Sequence, residues 1–323
     1  MMDHPIDRFS RTVVVPIYKS QDHIPKLFEY IQQIGDAVGE VEIVFVIDGT
    51  PDNSEQRIFL EAKKYAFKIK VVRLSRNFGV GPALHAALSH VTTSSLVIIG
   101  SDLQEPVELY IDFFKRLESG EADVFLGERL SRDDPFSMRF FSAIFWWVNR
   151  KFINSDTPKG GFDGVGLSAK ASKTLAELPE LNTSFTSQLQ WIGYKQVFVP
   201  FHRVRRQSGK SSWTYKRKVK LFADSVYGFT GAPIAILTIL GVVSTVLMVV
   251  VFFTTLFASL MGWMVVPGYA TIVILSALGH SVTIMGLGIL GGYVHRSFEN
   301  TKGRPRFVIE KVYEIGQSES PGI

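Results

Sequence analysis

The sequence has no cysteine among its 323 residues. This absence excludes both a disulfide framework and a thiolate metal site. A strong excess of one charge is also missing, since the formal net charge is only +5. The lysines and arginines concentrate in two segments, 203–220 and 296–306, which is too little for the long basic face of a nucleic-acid groove. They favour an anionic lipid surface or a phosphorylated substrate, and we expect no nucleic-acid partner.

Charge is missing altogether from one long segment near the C-terminus. From Ser225 to His295 there is no Asp, Glu, Lys or Arg. Two apolar runs lie within it, at about 234–261 and 269–293, and each is long enough for the roughly 20 helical residues that cross a hydrocarbon core. We predict a transmembrane hairpin over 231–295. The alternative is a pair of helices buried in a soluble core.

The flanks of this hairpin predict its orientation. Basic residues lie beyond both outer ends and are absent from the connecting loop, so both termini are expected in the cytoplasm. No signal peptide is expected ahead of "RTVVVPIY". We therefore divide the chain into a first domain over 1–205, an amphipathic juxtamembrane segment over 206–230, the hairpin, and a cytoplasmic tail over 296–323.

The first domain alternates between strand-like and helix-like segments. Strands are predicted at "TVVVPI", "VEIVFVI", "KIKVVRL" and "SLVIIG", and helices at 24–34, 54–65, 81–91 and 107–118, the second opened by an Asn/Ser cap signal. This alternation is typical of an α/β fold with a parallel sheet that helices cover on both faces. Ligands of such sheets bind beyond the carboxyl ends of the strands.

Each of the four predicted strands ends in polar residues. They are Pro16 to Tyr18, Asp48 and Gly49, Ser75 to Asn77, and Asp102 with Gln104. A carboxylate followed by a second oxygen ligand suits Mg²⁺ or Mn²⁺, which usually complete their shell with substrate phosphates. We predict a metal at Asp102 and Gln104, with Asp48 on a nucleotide. The alternative is that both aspartates only cap the following turns. The "GVGPA" stretch lacks a third glycine and is a weak dinucleotide signal.

An aromatic segment, "FSMRFFSAIFWWVNRKF" at 136–152, carries Arg139. We interpret it as an interfacial helix that lies against lipid and presents Arg139 to a ligand. Core packing of its aromatic side chains is the alternative. Guanidinium groups suit phosphate because they bind it in a bidentate manner, which favours Arg129, Arg139 and Arg206 as phosphate ligands. The alternative is that these three are solvated surface arginines.

The chain resembles the polyprenyl-phosphate glycosyltransferases of family 2, which have the GT-A fold and include dolichol-phosphate mannose synthase and the bactoprenol glucosyltransferases. The resemblance covers nearly the whole chain. It is carried, in family order, by "VVVPIY", "VEIVFVIDGTPDNS", "LSRNFGVGPALHAAL", "SDLQEP", "RQSGKSSWTYKRKVKLFADS" and "GLGILGGYVHRSFENTKGRPRFVIEK". The last two stretches separate this group from soluble GT-A enzymes.

The resemblance implies roles for individual residues. Asp102 and Gln104 match the metal and diphosphate positions of the family's Asp-x-Asp-x-Gln signature, Arg129 and Arg139 match arginines that hold the acceptor phosphate, and Asp163 matches an aspartate near the reacting centre. Asp102, Asp163, Arg129 and Arg139 are therefore the expected catalytic residues. The positions that match nucleotide-sugar contacts are Pro16, Tyr18, Asp48, Gly49, Arg206, Lys210, Ser211 and Trp213.

The sequence also departs from the family pattern. Gly100 replaces the first aspartate of the usual pair, Lys19 and Ser20 replace the acid that often follows the tyrosine of strand one, Ile47 replaces a second aspartate, and Gly292 replaces a glutamate. The loss of one carboxylate beside Asp102 predicts weaker metal binding, a different donor sugar, or reliance on cationic side chains.

The implied function is inverting transfer of a sugar from a nucleotide donor to undecaprenyl or another polyprenyl phosphate, with Mg²⁺ or Mn²⁺ as cofactor. UDP-glucose or a related UDP-hexose is the expected donor, and the product would serve modification of cell-envelope glycans. The expected location is a bacterial inner membrane, with the catalytic domain cytoplasmic. A homo-oligomer such as a tetramer and a small membrane flippase are further expected partners. The alternatives are a polysaccharide synthase of the same fold and a catalytically impaired, membrane-anchored binding or scaffold protein.

Overall fold

The computed structural model describes residues 10–130, 150, 157–158, 161–179, 184–203, 232–263 and 268–316. The chain divides into two compact units, one of Met1–Lys218 with Pro305–Ile323 and one of Val219–Arg304. The strands are β1 Arg11–Ile17, β2 Glu42–Ile47, β3 Lys68–Leu74, β4 Ser95–Ile98, β5 Val124–Arg129, β6 Phe162–Ser168, β7 Gln196–Phe201 and β8 Ile309–Ile315. The helices are α1 Ile24–Val38, α2 Ser54–Ala62, α3 Val80–Leu88, α4 Val107–Glu118, α5 Ala169–Glu177, α6 Phe185–Trp191, α7 Ala232–Leu260 and α8 Tyr269–Thr301.

The first unit is built on one eight-stranded mixed sheet in the order β7-β5-β6-β4-β1-β2-β3-β8. The four predicted strands form its centre and are parallel to one another, in the order β4-β1-β2-β3. Strand β6 is antiparallel to both β4 and β5, while β5 and β7 are parallel. The α/β fold with a mostly parallel sheet is confirmed, and its mixed edges are typical of large sheets.

Helices cover both faces of this sheet, as predicted. Side chains of α1, α2 and α4 form one apolar core, which includes Phe28, Phe45 and Phe113. Side chains of α3, α5 and α6 form the second core on the other face. The central strand β2 is buried along its whole length, as expected for a parallel strand that is covered on both sides.

The start of α2 differs in detail from the prediction. Asn53 occupies the N-cap position but its side chain makes no capping hydrogen bond. Asp52 does this instead, because its Oδ1 accepts hydrogen bonds from the backbone N–H and the hydroxyl of Ser54 at 3.2 and 2.7 Å. The acidic residue before the predicted cap therefore satisfies a free N–H of the first turn.

Strand β8 is an element that we did not predict from the sequence. It lies within the segment interpreted as a tail and pairs antiparallel with β3, with Val71 opposite Tyr313. Strands β1 and β8 belong to the same sheet. The chain before α7 and the chain after α8 therefore both contribute to the first folded unit.

The second unit contains α7 and α8, which coincide with the two predicted apolar runs; α8 continues beyond its predicted end to Thr301. The helices contact each other at Gly286, where a Cβ would lie 3.1 Å from Leu237 Cδ1. Among the residues that the structure describes, no helix combines the length and the apolar character needed to cross a membrane. The transmembrane hairpin stays a prediction.

Candidate active site

The polar strand ends meet at one edge of the sheet. Strands β4, β1, β2 and β3 are adjacent and parallel, so the residues that follow them share an edge, as predicted. The ends of β5 and β7 and the beginning of β6 lie at the same edge, because β6 runs antiparallel to β4 and β5. The beginning of β8 also lies here, since it pairs antiparallel with the end of β3, and this edge therefore gathers residues from all eight strands.

Asp48, at the end of β2, is bonded to the loop that follows β3. Its carboxylate accepts hydrogen bonds from the backbone N–H groups of Phe78 and Gly79 at 2.6 and 2.9 Å. The Asn77 side chain donates to the Asp48 carbonyl at 3.1 Å. Asp48 is only 4% exposed. The Asp48 carboxylate thus joins the loop after β2 to the loop after β3. A contact of Asp48 with nucleotide stays a prediction.

Gly49 has no room for a side chain. A Cβ at this position would lie 2.3 Å from both Arg76 C and Asn77 N, and the backbone φ of +54° also favours glycine. The close approach of these two loops explains why glycine follows Asp48.

A second network joins the loops after β1 and β2. The backbone N–H of Lys19 donates to Thr50 Oγ1 at 2.8 Å, and Thr50 donates to Asp52 at 2.6 Å. Burial alone would raise the pKa of Asp52, but hydrogen bonds from Thr50, Ser54 and the Gln21 backbone lower it below its usual value. The Asp52 carboxylate is therefore ionised and connects the two loops by hydrogen bonds at this edge of the sheet.

The departures at Lys19 and Ser20 have structural consequences. Ser20 is buried, and its hydroxyl lies 2.8 Å from that of Ser101 in the loop after β4. An acid at this position would place a charge against that hydroxyl. Lys19 has a positive φ of 55°, a conformation that costs energy for a residue with a Cβ.

The loop after β4 makes a tight turn that contains Asp102. The backbone N–H of Leu103 donates to the Gly100 carbonyl at 3.1 Å, and Leu103 has a φ of 51°. Backbone strain of this kind concentrates at ligand sites. A Cβ at Gly100 would lie 2.9 Å from Asp102 Oδ1 and 3.7 Å from Glu105 Oε2.

Asp163 is at the centre of a charged cluster at the same edge. Its Oδ2 lies 3.0 Å from Arg129 Nε and 3.9 Å from Arg203 Nε. Arg203 also donates to Gln104 Oε1. Two guanidinium groups therefore flank the Asp163 carboxylate. The side-chain oxygen of Gln104, a predicted metal ligand, is directed toward the guanidinium group of Arg203.

A β-bulge positions Arg129 and Asp163. The register between β5 and β6 shifts between Leu126 and Gly127, and bulges of this kind re-aim side chains next to active sites. Gly127 cannot carry a side chain here, since a Cβ would lie 2.9 Å from the Asp163 carbonyl, from Leu109 and from Phe201.

Glu105 is the main residue of this site that sequence reasoning missed. It is 7% exposed, and its Oε2 accepts no hydrogen bond within the part of the chain that the structure describes. Burial, together with the negative charges of Asp163 and Asp102, raises the pKa of Glu105 to about 8, although Arg203 opposes this shift. The sequence feature that could have identified Glu105 as a site residue is its position directly after Gln104 in "SDLQEP".

Arg203 was missed as an individual residue. It follows β7, a strand that the sequence analysis did not assign, so the rule that polar residues collect at strand ends was not applied there. With "QVFVPF" recognised as a strand, Arg203 would have been assigned to the same edge.

The described residues contain no group of three or more His, Cys, Asp or Glu side chains arranged to hold a metal. A divalent cation would therefore need ligands from the substrate as well as from Asp102. Several predicted site residues lie outside the described residues, together with most of the aromatic segment 136–152: Arg139, Arg206, Lys210, Ser211 and Trp213.

A family model described as glycosyl transferase family 2 matches residues 12–165 of the chain. The matched region contains Asp48, Asp102, Arg129 and Asp163, and thus most of the cluster described above. Residues 12–165 are therefore similar to a glycosyl transferase family 2 domain. The α/β fold with its mixed sheet is accordingly a GT-A fold, and the resemblance found in the sequence is confirmed.

Two curated relatives match nearly the full chain. The uncharacterized glycosyltransferase YkcC of Bacillus subtilis (strain 168) is 25% identical over 305 residues, covering 94% of this chain and 94% of its own length. The bactoprenol glucosyl transferase of Shigella phage SfX is 27% identical over 314 residues, covering 93% and 98%. The crystal structure of glucosyl-3-phosphoglycerate synthase from Mycobacterium tuberculosis matches 67% of this chain and 79% of that chain at 17% identity, with a TM-score of only 0.46.

Proposed function

We propose that this glycosyltransferase moves a sugar from a nucleotide-sugar donor, UDP-glucose or a related UDP-hexose, to a polyprenyl phosphate with inversion. The observation that carries the proposal is the cluster of Arg129, Asp163 and Arg203 beside Asp102 at the carboxyl edge of a family 2 domain. The near full-length similarity to a bactoprenol glucosyl transferase supports the lipid acceptor.

The reaction requires positioning of two anions more than it requires a base. A phosphate oxygen of the lipid attacks the anomeric carbon, the bond from that carbon to the nucleoside diphosphate breaks, and the diphosphate leaves with the electron pair. The attacking phosphate is already an anion, so no proton has to be removed. Catalysis then rests on charge stabilisation and alignment, for which Arg129 and Arg203 provide fixed positive charge.

Mg²⁺ or Mn²⁺ fits this site in part. Asp102 is a hard oxygen ligand at a strand end, and a cation bound there would neutralise charge on the departing diphosphate. Gln104 is bonded to Arg203, so it would join the cation only if Arg203 turned to the substrate. We retain Asp102 as the principal ligand.

Membrane attachment through α7 and α8 is part of the proposal. The segment lacks charged residues from Ser225 to His295, and both helices expose large aliphatic side chains, such as Ile239 and Ile284 at 62% and 70%. Because β1 and β8 share one sheet, a chain that crossed a bilayer here would have to cross it an even number of times. A hairpin with a cytoplasmic catalytic domain in a bacterial inner membrane meets this condition.

The test is a transfer assay with purified full-length protein in detergent. Undecaprenyl phosphate and Mn²⁺ are incubated with radiolabelled UDP-glucose, UDP-galactose, UDP-N-acetylglucosamine or GDP-mannose, and the lipid extract is separated by chromatography. We expect one UDP-hexose to label the lipid. Transfer only to a growing polysaccharide would indicate a synthase, while nucleotide-sugar binding without turnover would indicate a scaffold protein.

A further inference from the structure

The turn after β4 has two carboxylates at the place where the family's first aspartate is missing. The Cβ direction of Gly100 leads to Asp102 Oδ1 at 2.9 Å and to Glu105 Oε2 at 3.7 Å. A side chain at position 100 would therefore crowd Asp102 Oδ1 and lie in contact with Glu105 Oε2. The Glu105 carboxylate thus borders the position where the family's first aspartate is absent.

Glu105 is held there by its backbone. The Tyr30 hydroxyl donates to the Glu105 carbonyl at 2.9 Å, and Pro106 forms the N-cap of α4. Its carboxylate, by contrast, is buried with Oε2 unbonded within the described chain. A buried carboxyl oxygen without a hydrogen bond is costly, and cation binding is one function that explains why the fold retains it.

We propose that Glu105 replaces the missing aspartate and provides, with Asp102, the second protein carboxylate for the divalent cation that holds the donor diphosphate. This inference rests on the proposed function. Two carboxylates suffice because such cations complete their shell with phosphate oxygens and water. The same count agrees with the absence of any three-residue metal group among the described residues.

Neutralisation by a protein cation is the competing explanation. Arg203 is a candidate, since its charge lowers the pKa of Glu105. Its guanidinium, however, is engaged with Gln104 and lies near Asp163. Arg203 therefore has other partners, while Glu105 Oε2 has no hydrogen-bond donor in the described ranges.

The experiment measures Mn²⁺ binding directly, by the electron paramagnetic resonance signal of free Mn²⁺, with full-length protein in detergent and saturating UDP. Glu105→Gln is compared with Glu108→Gln, a matched control on the exposed first turn of α4. We expect Glu105→Gln to weaken Mn²⁺ binding by about tenfold or more, since even outer-shell partners of a metal cost 10–100-fold when removed. Glu108→Gln should bind as the wild type does.

A rescue variant distinguishes ligation from a structural role. Gly100→Asp in the Glu105→Gln background restores a carboxylate to the same region and should recover most of the Mn²⁺ affinity, whereas a structural defect would persist. Unchanged Mn²⁺ binding in Glu105→Gln, or failure of the rescue in a variant with a normal thermal melt, would overturn the proposal. Because binding is measured without lipid or sugar transfer, a wrong acceptor or a wrong sugar on the UDP donor would leave this result intact.

Discussion

Asp48 follows strand β2 and Asp102 follows strand β4, and the two aspartates have different surroundings in the structure. Asp48 gives its carboxylate to two backbone N–H groups and ties the ends of β2 and β3 together. Asp102 lies in a strained turn beside a buried glutamate whose Oε2 has no hydrogen bond in the described chain. The first arrangement provides an acceptor for two backbone N–H groups of the fold. The second places two carboxyl groups together, one of them with an oxygen that is unbonded among the described residues, where a cation could bind. The pattern of an aspartate after a buried strand does not separate the two, but the residues that surround each carboxylate do.

The largest expected effect tests the ligand side of this comparison. Asp102→Asn should reduce sugar transfer by at least about a thousandfold, similar to the largest losses seen when one preorganised stabilising group is removed. The reason is that a neutral amide cannot neutralise the positive charge of the cation that holds the diphosphate. The measurement is the initial rate across a Mn²⁺ titration, with the melting temperature as the control for folding. Full activity in this variant, or activity that a chelator leaves unchanged, would refute the metal-diphosphate assignment.

The fold side of the comparison predicts a loss of stability instead. Asp48→Ala leaves the N–H groups of Phe78 and Gly79 without their acceptor and should destabilise the protein by about 2 kcal/mol. Thermal unfolding followed by circular dichroism checks this. Asp102→Asn is the matched variant and should melt as the wild type does. If Asp48→Ala kept its stability and lost only donor affinity, Asp48 would be a ligand residue after all.

Sequence reasoning found the centre of the sheet because local patterns determine it. The four parallel strands are short apolar runs that alternate with amphipathic helices, and α4 coincides with its predicted bounds of 107–118. Strand β8 was missed because it pairs with β3 across more than 200 residues of chain. No local pattern specifies a partner at that distance.

The candidate site was found only in part for the same reason. Asp102 and Gln104 could be assigned because each follows a recognised strand. Glu105 could not, because its pKa is raised first by burial and then by the charges of Asp163 and Asp102. Burial is a property of the folded chain, and Asp163 reaches the site from a strand later in the sequence. An acidic residue before a proline at the start of a helix otherwise suggests an ordinary helix N-terminus.

A smaller effect is expected at Arg129, which combines a contact within the fold with a predicted contact to a ligand. Arg129 is paired with Asp163 at 3.0 Å, yet it is also a predicted ligand of the acceptor phosphate. Arg129→Ala should raise the KM for undecaprenyl phosphate by about tenfold and leave the KM for the donor nearly unchanged, and Arg129→Lys should recover only part of the loss because lysine cannot bind in a bidentate manner. Equal increases in both KM values would mean that Arg129 only positions Asp163.

The effect with the finest pH dependence concerns stability at Glu105, and its sign is opposite to that at Asp48. The pKa of Glu105 is about 8 in the folded protein against 4.5 as its ordinary value. Between these two pH values the unfolded chain releases a proton that the folded chain keeps, so the folded state loses stability as the pH rises. A glutamine carries no such proton and mimics the neutral acid.

Glu105→Gln should therefore raise the melting temperature of the cation-free protein, with a gain in stability of less than about 1 kcal/mol at pH 5 and of several kcal/mol at pH 8, because one pKa unit corresponds to about 1.4 kcal/mol. The measurement is a pair of thermal melts in the presence of a chelator, with Glu108→Gln as the control for loss of one acidic charge. A glutamate retained for the fold would behave as Asp48 does and lower the melting temperature on replacement. A gain of equal size at both pH values would show that packing, and not the buried charge, is responsible. A gain that grows with pH would identify Glu105 as a residue whose charge costs stability and is retained for a ligand, which is the property that separates this strand end from that of Asp48.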